Sequence, residues 1–209
     1  MTNRFARAAR RAGLAGVALV TVAGTALLAT PPANAAEQCW GEDVCMWDQP
    51  DGQGQIHRVS APADGTCIPL DVTWADGTTS QAKTVHNAGS GGLAGFESTD
   101  CSGKPLTLLG PNNYANVSRA HSVRVVDCES GKVCFWENDN FSGSKSTADY
   151  ADSCSPIGID SAKTVWNRTS KAIGLYEGWA CVGAGWKGDV PSGGWSSLNS
   201  GSVSKISRV

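Results

Sequence analysis

Residues 128–143 read CESGKVCFWENDNFSG and residues 39–54 read CWGEDVCMWDQPDGQG, so one arrangement of cysteine, tryptophan and glycine occurs twice. A second match closes each copy: residues 82–87 read AKTVHN and residues 162–167 read AKTVWN. The eight cysteines fall four and four into the two copies. We infer an internal duplication, with a first domain over 36–126 and a second over 127–209.

A shorter unit occurs twice within each copy. It consists of an aromatic residue, a variable residue five positions later and a glycine two positions after that. The unit begins at Trp47, Phe96, Trp136 and Tyr176. Because glycine tolerates positive φ, the unit predicts a β-hairpin folded back on itself. Later segments with alternating apolar residues, such as 121–125, predict strands with one buried face. The sequence therefore predicts an all-β Greek-key sandwich in each domain.

An export signal precedes the repeats. Its positive region contains four arginines: Arg4, Arg7, Arg10 and Arg11. An uncharged apolar run over 12–29 follows, and Ala33-Asn34-Ala35 has the small-x-small pattern of a cleavage site. A membrane anchor is the alternative, since the run could nearly span a bilayer. The cleavage motif favours a signal peptide over 1–35 and a secreted, extracellular protein with no membrane association after cleavage.

Charge and cysteine content restrict the partners of the exported part. Residues 36–209 contain 13 Lys and Arg and 19 Asp and Glu, a net charge of −6. This charge argues against nucleic acid or an anionic membrane as partner, because both require a basic surface. The even number of cysteines in an exported chain predicts disulfides. There is no Cys-x-x-Cys motif and all three histidines lie in the first copy, so we expect no metal and no cofactor.

The unit Trp136-x4-Phe141-x-Gly143 resembles the Greek-key signature of βγ-crystallin-like domains. The opening Cys-x5-Cys-x-Trp and the closing Lys-Thr-Val-x-Asn narrow the resemblance to one peptidase inhibitor family. That family is typified by the Streptomyces metalloproteinase inhibitor, a secreted single-domain βγ-crystallin-like protein. The resemblance covers 39–209 as two tandem copies, and it implies two tandem, disulfide-stabilised βγ-crystallin-like double Greek-key domains.

The resemblance also implies a function and a site. The protein would be a monomeric, non-enzymatic inhibitor of an extracellular protease of the metalloproteinase class, acting through a rigid substrate-like loop. The family's prototype presents a Cys-Val bond on such a loop, and Cys181-Val182 repeats that dipeptide here. Val182 would enter the apolar pocket that thermolysin-like enzymes use just after the cut bond. The first copy has Cys101-Ser102 at this place, so only the second would inhibit. The alternative is that Cys181 is a structural half-cystine and Val182 an ordinary strand residue.

Four cysteines per domain allow three connectivities. We favour Cys39–Cys45 with Cys67–Cys101 in the first domain, and Cys128–Cys134 with Cys154–Cys181 in the second. Cys101 and Cys181 occupy the position at which the crystallin signature has an aromatic residue. A disulfide there would tie the folded hairpin to a neighbouring segment in place of aromatic packing.

A non-inhibitory extracellular binding module is the alternative function. Trp179, Trp186 and Trp195 each follow a glycine and could stack on sugar rings, although tryptophan also fills cores. Weak calcium binding is less favoured. Among the four pairs of residues that stand at the start of the crystallin calcium motifs, Asp160 is the single acidic residue. Lysines such as Lys163 also replace the hydroxyl ligands of these motifs. Neither Gly-x-Ser-x-Gly nor His-Glu-x-x-His occurs, which argues against an enzyme.

Overall fold

The computed structural model describes residues 39–150, 153–178, 181, 185–198 and 203–208. The predicted signal peptide, Trp179 and Val182 lie outside the described residues. The regular structure in this part consists of β-strands and one 3₁₀ turn at Pro50–Gly52, so the all-β prediction is confirmed. No helix among these residues is long and apolar enough to cross a membrane.

The first half forms two four-stranded antiparallel sheets and one extra hairpin. Its strands are β1 Val44–Trp47, β2 Ile56–Val59, β3 Cys67–Pro69, β4 Asp71–Thr73, β5 Thr79–Gln81, β6 Thr84–Asn87, β7 Gly92–Phe96, β8 Thr107–Leu109, β9 Asn113–Asn116 and β10 Ser122–Val126. Sheet A has the order β2-β1-β6-β9 and sheet B the order β3-β10-β7-β8, while β4 and β5 pair with each other. Each Greek key gives its third strand to the other sheet, since β3 pairs with β10 and β9 pairs with β6.

The second half repeats this topology without the extra hairpin. Its strands are β11 Lys132–Trp136, β12 Lys145–Asp149, β13 Ser155–Pro156, β14 Thr164–Asn167, β15 Ile173–Tyr176, β16 Trp186–Val190, β17 Trp195–Ser197 and β18 Lys205–Arg208. Sheet C has the order β12-β11-β14-β17 and sheet D the order β13-β18-β15-β16. The double Greek-key fold expected from the βγ-crystallin resemblance is therefore present in both halves.

The aromatic unit folds as its sequence predicts. The variable position has left-handed backbone in three copies, with φ of +71° at Gly52, +56° at Cys101 and +56° at Phe141. In the third unit the rings of Trp136 and Phe141 meet edge to face, with their centroids 5.1 Å apart. The aromatic side chain thus covers the folded hairpin, and the glycine that follows keeps φ positive at +79° in Gly143.

Each half encloses an apolar core between its two sheets. The first core includes Met46, Leu70, Val85 and Leu93, and the second includes Phe135, Val165, Leu175 and Ile206. Alternate residues of each strand supply these side chains, because successive side chains of a strand point to opposite faces. Each large buried side chain stabilises the fold by about 1.5–3 kcal/mol.

A third apolar cluster joins sheet B of the first half to sheet C of the second. Phe96 and Cys101 lie in one cluster with Trp136, Phe141 and Trp166. The predicted boundary at 126–127 falls between β10 and β11, but the shared cluster makes residues of the two halves parts of one packed unit. The division into two independent domains therefore stays a prediction.

Close approach at this interface depends on one glycine. A Cβ on Gly92 would lie 2.9 Å from Cη2 of Trp166, which is closer than real side chains come. At the margin, Lys145 Nζ is 2.8 Å from Asp64 Oδ2, and Asn140 Nδ2 donates to the Cys101 carbonyl at 3.2 Å. The two halves are thus joined by an apolar centre with polar contacts around it.

Candidate functional site

The loop between β15 and β16 contains the predicted dipeptide Cys181-Val182, and we call residues 177–185 the candidate loop. Its base is closed by the backbone N–H of Glu177, which donates to the Gly185 carbonyl at 2.7 Å. The N–H of Gly178 donates to Ser204 Oγ at 3.0 Å, and the N–H of Ser204 donates to the Tyr176 carbonyl at 3.0 Å. The two ends of the loop are therefore bonded to each other, and its first end is also bonded to Ser204, which precedes β18.

A disulfide fixes the middle of the candidate loop. Cys181 is joined to Cys154, with 5.4 Å between their Cα atoms, and Cys154 immediately precedes β13 at the edge of sheet D. The structure contains the four pairs favoured from the sequence: Cys39–Cys45, Cys67–Cys101, Cys128–Cys134 and Cys154–Cys181. The backbone at Cys181 is thus held from β13, while β15 and β16 hold the two ends of the loop.

Charged and aromatic side chains surround the base of the loop. Lys187 Nζ lies 2.5 Å from Glu177 Oε2. The indole N–H of Trp186 donates to Asp189 Oδ1 at 3.1 Å, although 55% of the Trp186 surface is exposed. A β-bulge between Leu175 and Tyr176 shifts the register just before the loop. These contacts orient the first residues of β16 beside the candidate loop.

The equivalent position in the first half is closed. Cys101 has no exposed surface, and its N–H donates to Ser122 Oγ at 3.1 Å. Its carbonyl accepts from Asn140 Nδ2 of the second half and from Arg124 Nη2, each at 3.2 Å. Burial lowers the pKa of Arg124, against the opposing effect of Asp100 and Asp64. A protease cannot reach a peptide bond whose carbonyl is covered and bonded in this way.

The structure places two of the three predicted sugar-stacking tryptophans, Trp186 and Trp195, on different sheets. Trp195 lies in β17, is partly buried against the cluster between sheets B and C, and has its ring centroid 5.7 Å from that of Phe141. Docking of the two halves covers part of this ring, which favours the alternative that Trp195 fills a core, and its role in sugar stacking stays a prediction. Trp186 is exposed, and Trp179 lies outside the described residues.

Sequence reasoning missed a second exposed tryptophan. Trp40 is 59% exposed, and the Arg58 guanidinium lies 3.9 Å from its ring centroid. Arg58 Nε is also 3.4 Å from Asp43 Oδ2. The signal was available, since Trp40 lies between a cysteine and a glycine and has glutamate as its counterpart at position 129. Trp40 is on the first half and belongs to a different surface from Trp186.

The described residues hold no group of three or more His, Cys, Asp or Glu side chains that could bind a metal ion. Asp160, the acidic residue at the crystallin calcium positions, lines a surface cavity of about 300 Å³ with Glu137 and Ser144. The Glu137 carboxylate accepts from the Ser144 N–H at 3.2 Å, and this hydrogen bonding lowers the pKa of Glu137. The carboxylate that could assist Asp160 is thus already engaged.

The fold and its disulfides define a βγ-crystallin-like protein with two double Greek keys in tandem. The model of peptidase inhibitor family I36 matches residues 121–187, a segment that runs from β10 through the candidate loop to the start of β16. This match confirms the resemblance to a peptidase inhibitor family that the cysteine and aromatic spacing indicates.

The curated proteins contain no match to the sequence. Among solved structures, the chain is similar to geodin, a beta-gamma crystallin from Geodia cydonium, with 13% sequence identity and a TM-score of 0.43. The similarity covers 80% of this chain and 98% of geodin.

Proposed function

We propose that the protein is a secreted inhibitor of an extracellular metalloproteinase and that the candidate loop binds in the protease cleft like a substrate. The observation that supports this proposal is the anchoring of the loop, by one disulfide and by hydrogen bonds at both ends, within the segment that the peptidase inhibitor model matches. The four disulfides are also consistent with an extracellular protein.

A loop anchored in this way can inhibit because it loses little conformational freedom on binding. Val182 would offer a branched apolar side chain to the pocket after the Cys181–Val182 bond. If the protease cut this bond, Cys181 would stay tied to Cys154 and Gly185 would stay bonded to Glu177. The new chain ends would remain close together, so that resealing of the bond competes with release. The zinc ion of this chemistry belongs to the protease.

We expect one inhibitory site per chain and a monomeric inhibitor. The equivalent Cys101 position is buried. The faces of sheets A and D that correspond to the buried interface carry polar residues, with His86 in place of Trp166 and Asp189 in place of Leu108. Such replacements disfavour permanent self-association through these faces.

Titration of a thermolysin-like metalloprotease with refolded residues 36–209 tests the proposal. Residual activity should fall linearly to zero at one inhibitor per protease, and sedimentation should give the mass of a single copy. Inhibition of two protease molecules per chain would contradict the single site. No inhibition of any protease class at micromolar concentration would overturn the proposed function.

Removing the loop disulfide should turn the inhibitor into a slow substrate. In the variant Cys154→Ser with Cys181→Ser we expect protease activity to recover during incubation, with cleavage in the candidate loop seen by mass spectrometry. The same change should lower the free energy of unfolding by about 3 kcal/mol, since the disulfide spans 27 residues. The matched control is Cys39→Ser with Cys45→Ser, which removes a disulfide from the first half. Lasting inhibition by the loop variant would show that the disulfide is not needed.

A glycan-binding module is the second candidate, and the exposed ring of Trp186 favours it. Retention on insoluble cell-wall polysaccharide would be lost in Trp186→Ala and kept in Val182→Asp if this function is correct. If both variants are still retained, Trp186 is not a sugar-stacking residue.

A further inference from the structure

We propose that the outer face of sheet D is a second contact surface for the target protease and that Trp186 is its principal anchor. This face, which we call the sheet D face, contains Gly174, Tyr176, Trp186 and Asp189. The inference rests on the proposed function, because it extends the contact from the candidate loop to the strands that carry it. It changes the role of Trp186 from sugar stacking to specificity for a protein.

Strand register places these residues on one face beside the loop. Ile173 and Leu175 belong to the second core, so the alternate residues Gly174 and Tyr176 face outward. Across the strand pair, Asp189 is opposite Gly174 and Trp186 is opposite Tyr176. A Cβ on Gly174 would lie 3.0 Å from Tyr176 Cε2, so the glycine leaves room for the tyrosine ring to lie along the face. Tyr176 and Trp186 are the last strand pair before the candidate loop.

Trp186 is prepared for contact with a protein. Its indole N–H is already bonded to Asp189 Oδ1, so the ring is oriented and its polar atom needs no new partner. More than half of its surface remains exposed. Tryptophan is among the residues most enriched at the energetically dominant positions of protein interfaces, because it combines a large contact area with few rotatable bonds.

The first half shows that this face of the fold can dock onto protein. The equivalent face of sheet B contains Ala94, Phe96 and Leu108, and it packs against sheet C. The register of β15 with β16 and of β7 with β8 makes Gly174 and Asp189 the counterparts of Ala94 and Leu108. Tyr176 is the counterpart of Phe96 in the repeated aromatic unit.

The residues that differ between the sheet D face and the equivalent face of sheet B favour reversible binding of a partner. Asp189 and the Tyr176 hydroxyl replace apolar groups, and the ion pair of Lys187 with Glu177 lies at the edge of the face beside the loop. An aromatic centre with a charged margin is typical of interfaces that form between separately folded proteins. The buried faces of obligate interfaces are more apolar. The protease held at the candidate loop is the protein that would reach this face.

The inhibition constant of Trp186→Ala tests the inference. In refolded residues 36–209 we expect this constant to rise at least about 30-fold against the thermolysin-like protease, mainly through faster dissociation. Trp186→Phe should keep most of the affinity, because it retains an aromatic ring. The matched control is Trp40→Ala, which removes a highly exposed tryptophan of the first half and should leave the inhibition constant unchanged. Thermal unfolding of each variant shows whether its fold is intact.

The outcomes separate this inference from the proposed function. Equal inhibition constants for the wild type and Trp186→Ala would overturn the sheet D face and leave the proposed function intact. Failure of the wild type to inhibit would overturn the proposed function. In that case, the wild type could still bind a protease whose active site is blocked. Weaker binding of this protease by Trp186→Ala would then still support the sheet D face as a contact surface. Loss of self-association or of polysaccharide binding in Trp186→Ala, without a change in protease binding, would assign the face to another partner and overturn the inference.

Discussion

Val182→Asp is expected to raise the inhibition constant for a thermolysin-like metalloprotease at least about 100-fold. The proposed complex buries Val182 in an apolar pocket of the protease. An ionised carboxylate would lose its hydration there without gaining a partner, and this costs several kcal/mol. A cost of about 2.7 kcal/mol already corresponds to a 100-fold loss of affinity. The measurement is the inhibition constant from residual activity at several inhibitor concentrations.

The first half supplies a matched control for this substitution. Ser102→Asp adds the same carboxylate to the residue that follows Cys101, and Ser102 is exposed. Since the Cys101 position is closed, the inhibition constant of Ser102→Asp should stay within about twofold of the wild type. If Val182→Asp inhibits as well as the wild type, the dipeptide Cys181-Val182 is not the inhibitory bond and another loop must bind the protease.

The fold was predictable because its determinants are local and repeated. Each copy of the aromatic unit predicts a folded hairpin, and the left-handed backbone at Cys101 and Phe141 shows that the spacing reflects a fixed turn geometry. The alternating segments that close each unit became strands β6, β10, β14 and β18. The repetition also implies that both halves share one disulfide connectivity, and the favoured one of the three is present in both.

The docking of the two halves was not predictable from these patterns. Trp166 and His86 occupy the same place in two nearly identical motifs, yet Trp166 is buried at the interface and His86 is half-buried on the outer face of sheet A. Local periodicity distinguishes the two faces of a strand but cannot tell which outer face another sheet will cover. For this reason the sequence left open whether Trp195 stacks on sugars or fills a core, and it did not point to Gly92 at the interface.

The hydrogen bonds that anchor the candidate loop were equally hidden. Gly178 is bonded to Ser204, which is 26 residues away and precedes β18, the strand that pairs with β15. Such contacts depend on which strands pair in the sheet, and the spacing of the repeated motifs does not specify them. The extra hairpin of β4 and β5 was also missed. It occurs in the first copy alone, so a comparison of the two copies does not reveal it.

Trp166→Ala is expected to lower the free energy of unfolding by about 3–5 kcal/mol, as for other large aromatic side chains removed from a core. The Trp166 ring fills the space left by Gly92 and lies beneath the Arg168 guanidinium at 5.0 Å. Arg168 Nη1 in turn donates to the carbonyls of Ser90 and Cys128. Loss of the ring would leave a cavity between the halves and remove the surface against which Arg168 packs. Urea unfolding followed by fluorescence and by circular dichroism measures the loss.

His86→Ala is the matched control for the interface, because it truncates the residue at the same position of the first copy. His86 is half-buried, its Nδ1 has no hydrogen-bond partner among the described residues, and burial lowers its pKa. Its removal eliminates an unsatisfied buried atom and leaves no cavity between sheets, so the loss should stay within about 1 kcal/mol. Equal losses in the two variants would mean that the Trp166 ring at the interface contributes no more to stability than a side chain on the outer face of sheet A. A larger loss for Trp166→Ala, with a single transition replaced by two, would show that this ring couples the unfolding of the two halves.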